Sequence, residues 1–219
     1  ILWDMEEYCK SAVDVYKMLT GCKALKKAST PFCPEGSLSA ADDEIEGDLR
    51  GDACKSLMNN LWLARLSRPD IQKPICFLSS NITKWSRNDD KRLRRLIEYM
   101  NSSAHYKLVG KVNDPPKDLK LLLFVDADFA GEEADTKSTS GGYLVLSGPN
   151  TWFPLAWICR KQTSTSRSTT EAEIISLATS LFEEAIPTLD LWEIILGREV
   201  DLFILEDNQA TIKVVRKGY

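Results

Sequence analysis

The stretch KLLLFVDAD, residues 120–128, decides how the rest of the chain is read. Its unbroken apolar run from Leu121 to Val125 suits a central strand buried on both faces. The strand ends in an acid, and two-residue alternation puts Asp126 on the face shared by Leu122 and Phe124. Downstream, GGYLVLSG (141–148) and LAWICRK (155–161) read as two more strands, with connections short enough for antiparallel pairing. A helix follows over STTEAEIISLATSLFEEAI (168–186), and Pro187 predicts a kink or break before LDLWEIIL (189–196). DLFILED (201–207) is a fourth strand and NQATIKVVRK (208–217) begins another helix. The order β-β-β-α-β-α predicts an α/β fold: a mixed sheet with three antiparallel strands, a parallel fourth, and helices packed on it.

Upstream the character is helical. Met5, Cys9, Val13 and Tyr16 recur at helical spacing, and Gly21 is a stop signal. Residues 26–48 are rich in Pro, Ser, Gly and acids and read as loop. Further helices are expected over ACKSLMNNLWLARL (53–66), IQKPICFLSSNI (71–82) and RNDDKRLRRLIEYM (87–100). The last of these puts Leu93, Leu96, Ile97 and Met100 on one face. KVNDPPKD (111–118), with two prolines, reads as a linker between a helical segment over 1–110 and the sheet domain over 119–219.

Composition is that of an ordinary folded protein, with 43% hydrophobic and 27% charged residues. The net charge of −4 provides no general attraction to nucleic acid, so any such contact needs a local basic patch. The cysteines (Cys9, Cys22, Cys33, Cys54, Cys76 and Cys159) form no C-x-x-C pair, and His105 is the single histidine. That argues against a zinc cluster and for reduced, mostly buried thiols in an intracellular protein of cytoplasm or nucleus. No stretch approaches the roughly 18 apolar residues of a membrane span, and ILWDMEEYCK has no signal-peptide pattern. The absence of an initial Met suggests a fragment or processed product.

Three acids stand in apolar surroundings: Asp126 at a strand end, Glu173 one turn into a helix beside Leu177, and Asp207 in phase with Phe203 and Leu205. If the first and fourth strands are parallel neighbours, Asp126 and Asp207 emerge together at their carboxyl ends, where open α/β sheets place ligands. Glu173 would reach the same point from the helix. Clustered carboxylates repel and need a cation, and hard oxygen ligands favour Mg²⁺ or Mn²⁺. Each acid also has a structural alternative: Asp126 as a turn residue, Asp207 as a helix cap. Glu171 fits a capping box with Ser168, Asp128 is a secondary candidate, and His105 reads as an exposed turn residue.

VDADFAG (125–131), KSTSGGYLVL (137–146), AWICRKQTSTSRSTTEAEIISL (156–177) and EDNQATIKV (206–214), in that order, resemble the ribonuclease H region of copia-type LTR retrotransposon polyproteins. ASTPF (28–32), LWLARLSRPDI (61–71) and KRLRRLIEYM (91–100) resemble, less closely, the reverse-transcriptase tail and connection that precede it. The resemblance implies a ribonuclease H fold that cuts the RNA strand of RNA–DNA hybrids with two divalent ions. By motif, Asp126, Glu173 and Asp207 are its catalytic, metal-holding acids, and Asp128 falls where relatives often have a small polar residue. Arg160, Lys161, Gln162 and Arg167 would contact the nucleic-acid backbone, the alternative being a solvated loop.

The resemblance also leads to the expectation that a fourth acid, a last strand and a last helix belong beyond Tyr219, and the polymerase aspartates before Ile1. On that expectation the chain alone shows little cleavage and makes no DNA, and the edge of DLFILED is open to another polypeptide. Two readings stay open: a metal-dependent endoribonuclease, or a catalytically inactive retroelement-derived subunit that binds or supports a larger assembly.

Overall fold

A computed structural model describes residues 1–129 and 136–218; the last two residues of VDADFAG and Tyr219 lie outside the described residues. The chain divides into two compact units, Leu2–Leu108 and Val109–Tyr219, with Ile1 belonging to the second.

The first unit is built on α1 (Glu6–Thr20), α2 (Ala53–Leu66), α3 (Gln72–Ser80) and α4 (Arg87–Ser102). Gly21 ends α1 in the left-handed conformation, φ 65°, which glycine adopts without steric cost. Ser86 and Asp89 form a reciprocal capping box that starts α4. The heptad-like face expected of α4 is the core: Leu93, Leu96, Ile97 and Met100 are fully buried, with Cys9 and Val13 of α1, Leu57 of α2 and Ile75 of α3 in the same cluster. His105 is exposed, as expected. The thiols differ from expectation: all are free, but only Cys9 is buried and Cys54 is exposed.

The second unit holds a four-stranded sheet of β1 (Lys120–Asp128), β2 (Thr139–Gly148), β3 (Thr151–Lys161) and β4 (Leu202–Leu205), in the spatial order β3-β2-β1-β4. β1 pairs antiparallel with β2 and parallel with β4, and β2 pairs antiparallel with β3. This is the mixed sheet the sequence predicts, with the topology of a ribonuclease H-like fold. β1 differs in one respect. It is not buried on both faces: Leu121, Leu123 and Val125 are buried while Leu122 and Phe124 are only half so. One face therefore packs into the core with Leu144, Leu146 and Leu177. Pro154, which cannot donate to a ladder, sits in the edge strand β3 beside a register shift opposite Leu144 and Val145.

Helix α5 (Thr169–Ser180) lies against β1 and β2. The approach is close: a side chain at Gly142 would run into Ser180. Ser176 Oγ donates to the carbonyls of Asp126 (2.7 Å) and Gly141 (3.2 Å), fixing the helix to both strands. Pro187 does not break the helix. The chain passes through a π-helical turn, Leu181–Ala185, into α6 (Ile186–Leu196), whose second residue is Pro187. A widened turn accommodates a residue that lacks an N–H and crowds the carbonyl four residues earlier. Helix α7 (Gln209–Lys217) follows β4.

The stretch expected to be a linker, 111–118, is tied to the second unit. Lys111 exchanges backbone hydrogen bonds with Trp152 (2.8 and 2.9 Å), and Asp114 accepts from the Asn150 backbone N–H at 2.7 Å. Arg198 donates to the carbonyl of Pro116 at 2.6 Å. No helix among the described residues is long and apolar enough to cross a membrane.

Candidate metal centre

Parallel pairing of Phe124 with Leu205 sets the geometry of the site. Two residues after each partner come Asp126, still within β1, and Asp207, just past β4, so both acids stand at the carboxyl end of the parallel pair. Glu173, in the first turns of α5, reaches them from the helix. One ligand oxygen from each of the three lies within 4.8 Å of the others, close enough to share a cation. Asp126 and Asp207 are exposed, whereas Glu173 is only 6% exposed.

Asp126 lies within β1 rather than in a turn. Asp207 does not cap α7, because Asn208 does: its Oδ1 accepts from the backbone N–H groups of Ala210 and Thr211, each at 3.0 Å. Among the described residues no ion pair engages Glu173, and its Oε2 is buried without a hydrogen-bond partner. Such an oxygen is expensive to maintain in a folded protein unless something outside the chain satisfies it. Burial, and then the charges of Glu206, Asp126 and Asp207, push the Glu173 carboxyl up to about 7, partly offset by the Ala127 backbone N–H. The capping box expected of Glu171 forms by half: its backbone N–H donates to Ser168 Oγ (3.1 Å), but its side chain accepts from the Arg167 backbone N–H (2.7 Å), one residue before the cap. Asp128 ends β1, is exposed, pairs in register with Thr139 and stands outside the trio.

The basic approach is less uniform than the sequence suggests. Arg160 is exposed and bridges Glu183 at 2.8 Å, Lys161 is half-buried and Arg167 is exposed. Gln162 turns inward. It is 5% exposed, and its amide donates to Ser140 Oγ (3.0 Å) and the Ala172 carbonyl (2.9 Å) while accepting from Ser166 Oγ (3.0 Å). With its polar atoms thus engaged, Gln162 fastens the loop before α5 to β2.

The structure adds two residues that sequence reasoning missed. A groove of about 700 Å³ beside the trio, walled mostly by apolar side chains such as Phe124, Leu177 and Ile204, also has Asp126, Asp207, Glu206 and Arg216 in its lining. Strand alternation assigns Glu206 to the face opposite Asp207, but β4 ends at Leu205, so alternation no longer governs either acid. The Asn208 cap signal, which marks the chain as already turning, is what would have revealed this. Burial and the neighbouring Asp207 and Asp126 charges raise the Glu206 carboxyl above its usual range.

A four-stranded mixed sheet with one parallel pair and helices packed on it is consistent with a ribonuclease H-like fold. Comparison with known proteins agrees with the motif resemblance. The chain is 28% identical over 158 residues, 72% of its length, to the retrovirus-related Pol polyprotein from transposon RE1 of Arabidopsis thaliana. It is 29% identical over 129 residues, 59% of its length, to that of transposon RE2 of the same plant. The aligned stretches are 10% and 8% of those polyproteins, so the chain spans a small part of each. It is also 27% identical over 162 residues to an uncharacterized mitochondrial protein of Arabidopsis thaliana, AtMg00810, across 74% of this chain and 62% of that one. No family model matches. The chain thus resembles copia-type Pol polyproteins over most of its length, as its motifs lead one to expect.

Proposed function

We propose that the second unit is a ribonuclease H-type phosphodiesterase that cuts the RNA strand of RNA–DNA hybrids. Asp126, Glu173 and Asp207 would hold Mg²⁺ or Mn²⁺. The observation that carries this reading is the convergence of three acids from three elements around a buried carboxylate oxygen with no partner. The donor set fits the ions: all ligands are hard carboxylate oxygens, with neither thiol nor imidazole in the cluster. Divalent ions bound there supply neutralisation of the charge that builds up on the phosphoryl group and a template for in-line attack.

The chain's own residues do the rest. Glu173, held rigidly by α5, fixes the depth of the site, and Asp126 and Asp207 at the open edge face the substrate. Ser176 holds the Asp126 backbone in place. Arg160, Lys161 and Arg167 offer positive charge to the phosphodiester backbone on the approach, and Arg216 offers it within the groove. The test is cleavage of an end-labelled RNA–DNA hybrid by the 219-residue chain in Mn²⁺. Cleavage should fall about a hundredfold or more in Asp126→Asn, the loss of a few kcal/mol of transition-state stabilisation. Cleavage undiminished in Asp126→Asn, or a chain that neither cleaves nor binds Mn²⁺, overturns the reading.

A second reading, in which the unit docks another polypeptide, is favoured by one observation. β4 is an edge strand, and Phe203, Ile204 and Leu205 are 48%, 41% and 41% exposed. Unpaired edges with apolar side chains invite strand addition. Slow amide exchange of Phe203 to Leu205 in a dilute monomer would count against such a partner.

A further inference from the structure

Helix α6 is apolar on both of its sides. Leu189, Trp192 and Leu196, at helical spacing, are half-buried against the core of the second unit. The opposite side carries Pro187, Leu191, Ile194 and Ile195, again at the i, i+4, i+7, i+8 spacing of one helix face. That side is open to water: Leu191 is 54% exposed, Ile194 80% and Ile195 57%, and no residue of α6 is fully buried. Ile186 (37%) and Phe182 (67%), the latter in the π turn just before α6, lead into the same strip.

A helix that is apolar all round is ordinarily covered all round. Monomeric proteins rarely leave more than a few hundred Å² of contiguous apolar surface in water. At about 200 Å² for a fully exposed residue of this size, Phe182, Ile186, Leu191, Ile194 and Ile195 together leave roughly 600 Å² open.

The chemistry of the strip selects its occupant. Leu191, Ile194 and Ile195 offer neither charge nor side-chain donor to a phosphate backbone, and Asp190 beside them repels one. A second copy of the same helix, by contrast, is self-complementary. Across a two-fold axis each strip covers the other, and no charge on the face has to be desolvated. Such a pair of strips buries about 1,200 Å² in total, which clears the ~1,000 Å² of a specific interface. We propose that the chain forms a symmetric dimer in which the α6 helices of two copies pack face to face through Leu191, Ile194 and Ile195.

The test is sedimentation velocity on the whole 219-residue chain, without nucleic acid. An interface at the lower end of the size range corresponds to a micromolar Kd, so the parent should pass from monomer to dimer between about 1 and 100 µM. Ile194→Glu should weaken the dimer about thirtyfold or more, as expected for a residue at the centre of an interface. The uncharged double variant Leu191→Gln with Ile194→Gln should act in the same direction. Salt at about 1 M should leave the parent dimer intact, because the strip is apolar and screening acts only on charges. Trp62→Gln, at an exposed apolar position on α2, should leave it intact as well. A parent that stays monomeric throughout, α6 variants that dimerise as the parent does, or a dimer lost to salt or to Trp62→Gln each overturn the proposal. So does a dilute Ile194→Glu monomer that melts well below the parent monomer, since Ile194 would then serve the fold of its own unit.

Discussion

Buried charge is handled in opposite ways in the two units. In the helical unit every deeply buried ionic group named here is answered from within. Asp89 accepts from the Ser86 backbone N–H and hydroxyl (3.0 Å each), from Asn81 (3.1 Å) and from Arg92 (3.1 Å). Arg68 donates to Asp70 (2.8 Å), to Ser103 Oγ (2.7 Å) and to the Ser103 carbonyl (3.0 Å), with its guanidinium over the Tyr99 ring. In the sheet unit the buried Glu173 and the half-buried Glu206 each keep an oxygen that none of the described residues satisfies, with further acids close by. A paired buried charge specifies a fold; an unpaired one surrounded by like charge marks a place reserved for something else.

The sharpest way to break this contrast is to remove comparable charges from both units. Arg68→Ala should destabilise the helical unit by about 1–3 kcal/mol, because it leaves the buried Ser103 carbonyl without its donor, while Asp70 keeps the Tyr99 hydroxyl and access to water. Urea unfolding followed by tryptophan fluorescence reads the effect. A loss below about 1 kcal/mol would mean that the Arg68 network is decorative.

Glu173→Gln should act in the other direction when metal is absent. With its carboxyl raised from the ordinary 4.5 to about 7, the folded chain binds this proton more tightly than the unfolded chain does. The contribution of Glu173 to stability is then greatest below about pH 4.5, falls as pH rises through this window, and levels off above about 7. At ~1.4 kcal/mol per pH unit the span is about 3 kcal/mol. Melts in EDTA should therefore show the parent losing stability from pH 5 to pH 7.5, and Glu173→Gln should flatten that slope. Added Mn²⁺ should restore the parent at neutral pH and leave the variant unmoved. A parent whose stability rises over the same window would contradict the burial and repulsion assigned to Glu173.

A smaller effect sharpens the account of how the site is held. Ser176→Ala removes the two hydrogen bonds from α5 to the Asp126 and Gly141 carbonyls and should lower stability by about 1 kcal/mol. Because the same bonds fix the Asp126 backbone, Mn²⁺ affinity measured by titration should fall with it. Stability loss with unchanged affinity would limit Ser176 to packing. Smaller still, or similar, is the change for Asn208→Ala, about 0.5–2 kcal/mol through loss of the α7 cap, measurable in the same melts.

What the sequence determined by itself was whatever is local or periodic. The apolar run at 121–125, the helical phase of Leu93, Leu96, Ile97 and Met100, the glycine stop at Gly21 and the Ser168 start of α5 were all legible, because short-range sterics, capping and burial of one face decide them. The trio was legible for the same reason: an acid where the pattern demands an apolar residue needs a partner. Tertiary structure decided the remainder. Pro187 was absorbed by a π turn rather than breaking its helix, because it falls in the first turn of α6, where a missing N–H costs least. Gln162 has the polarity of a surface contact, but the gap between Ser140, Ser166 and the Ala172 carbonyl draws it inward. Glu206 joined the acids only because β4 stops at Leu205. Where a strand ends depends on how far its neighbour β1 continues to pair with it, and that is a property of two segments some eighty residues apart, not of either one alone.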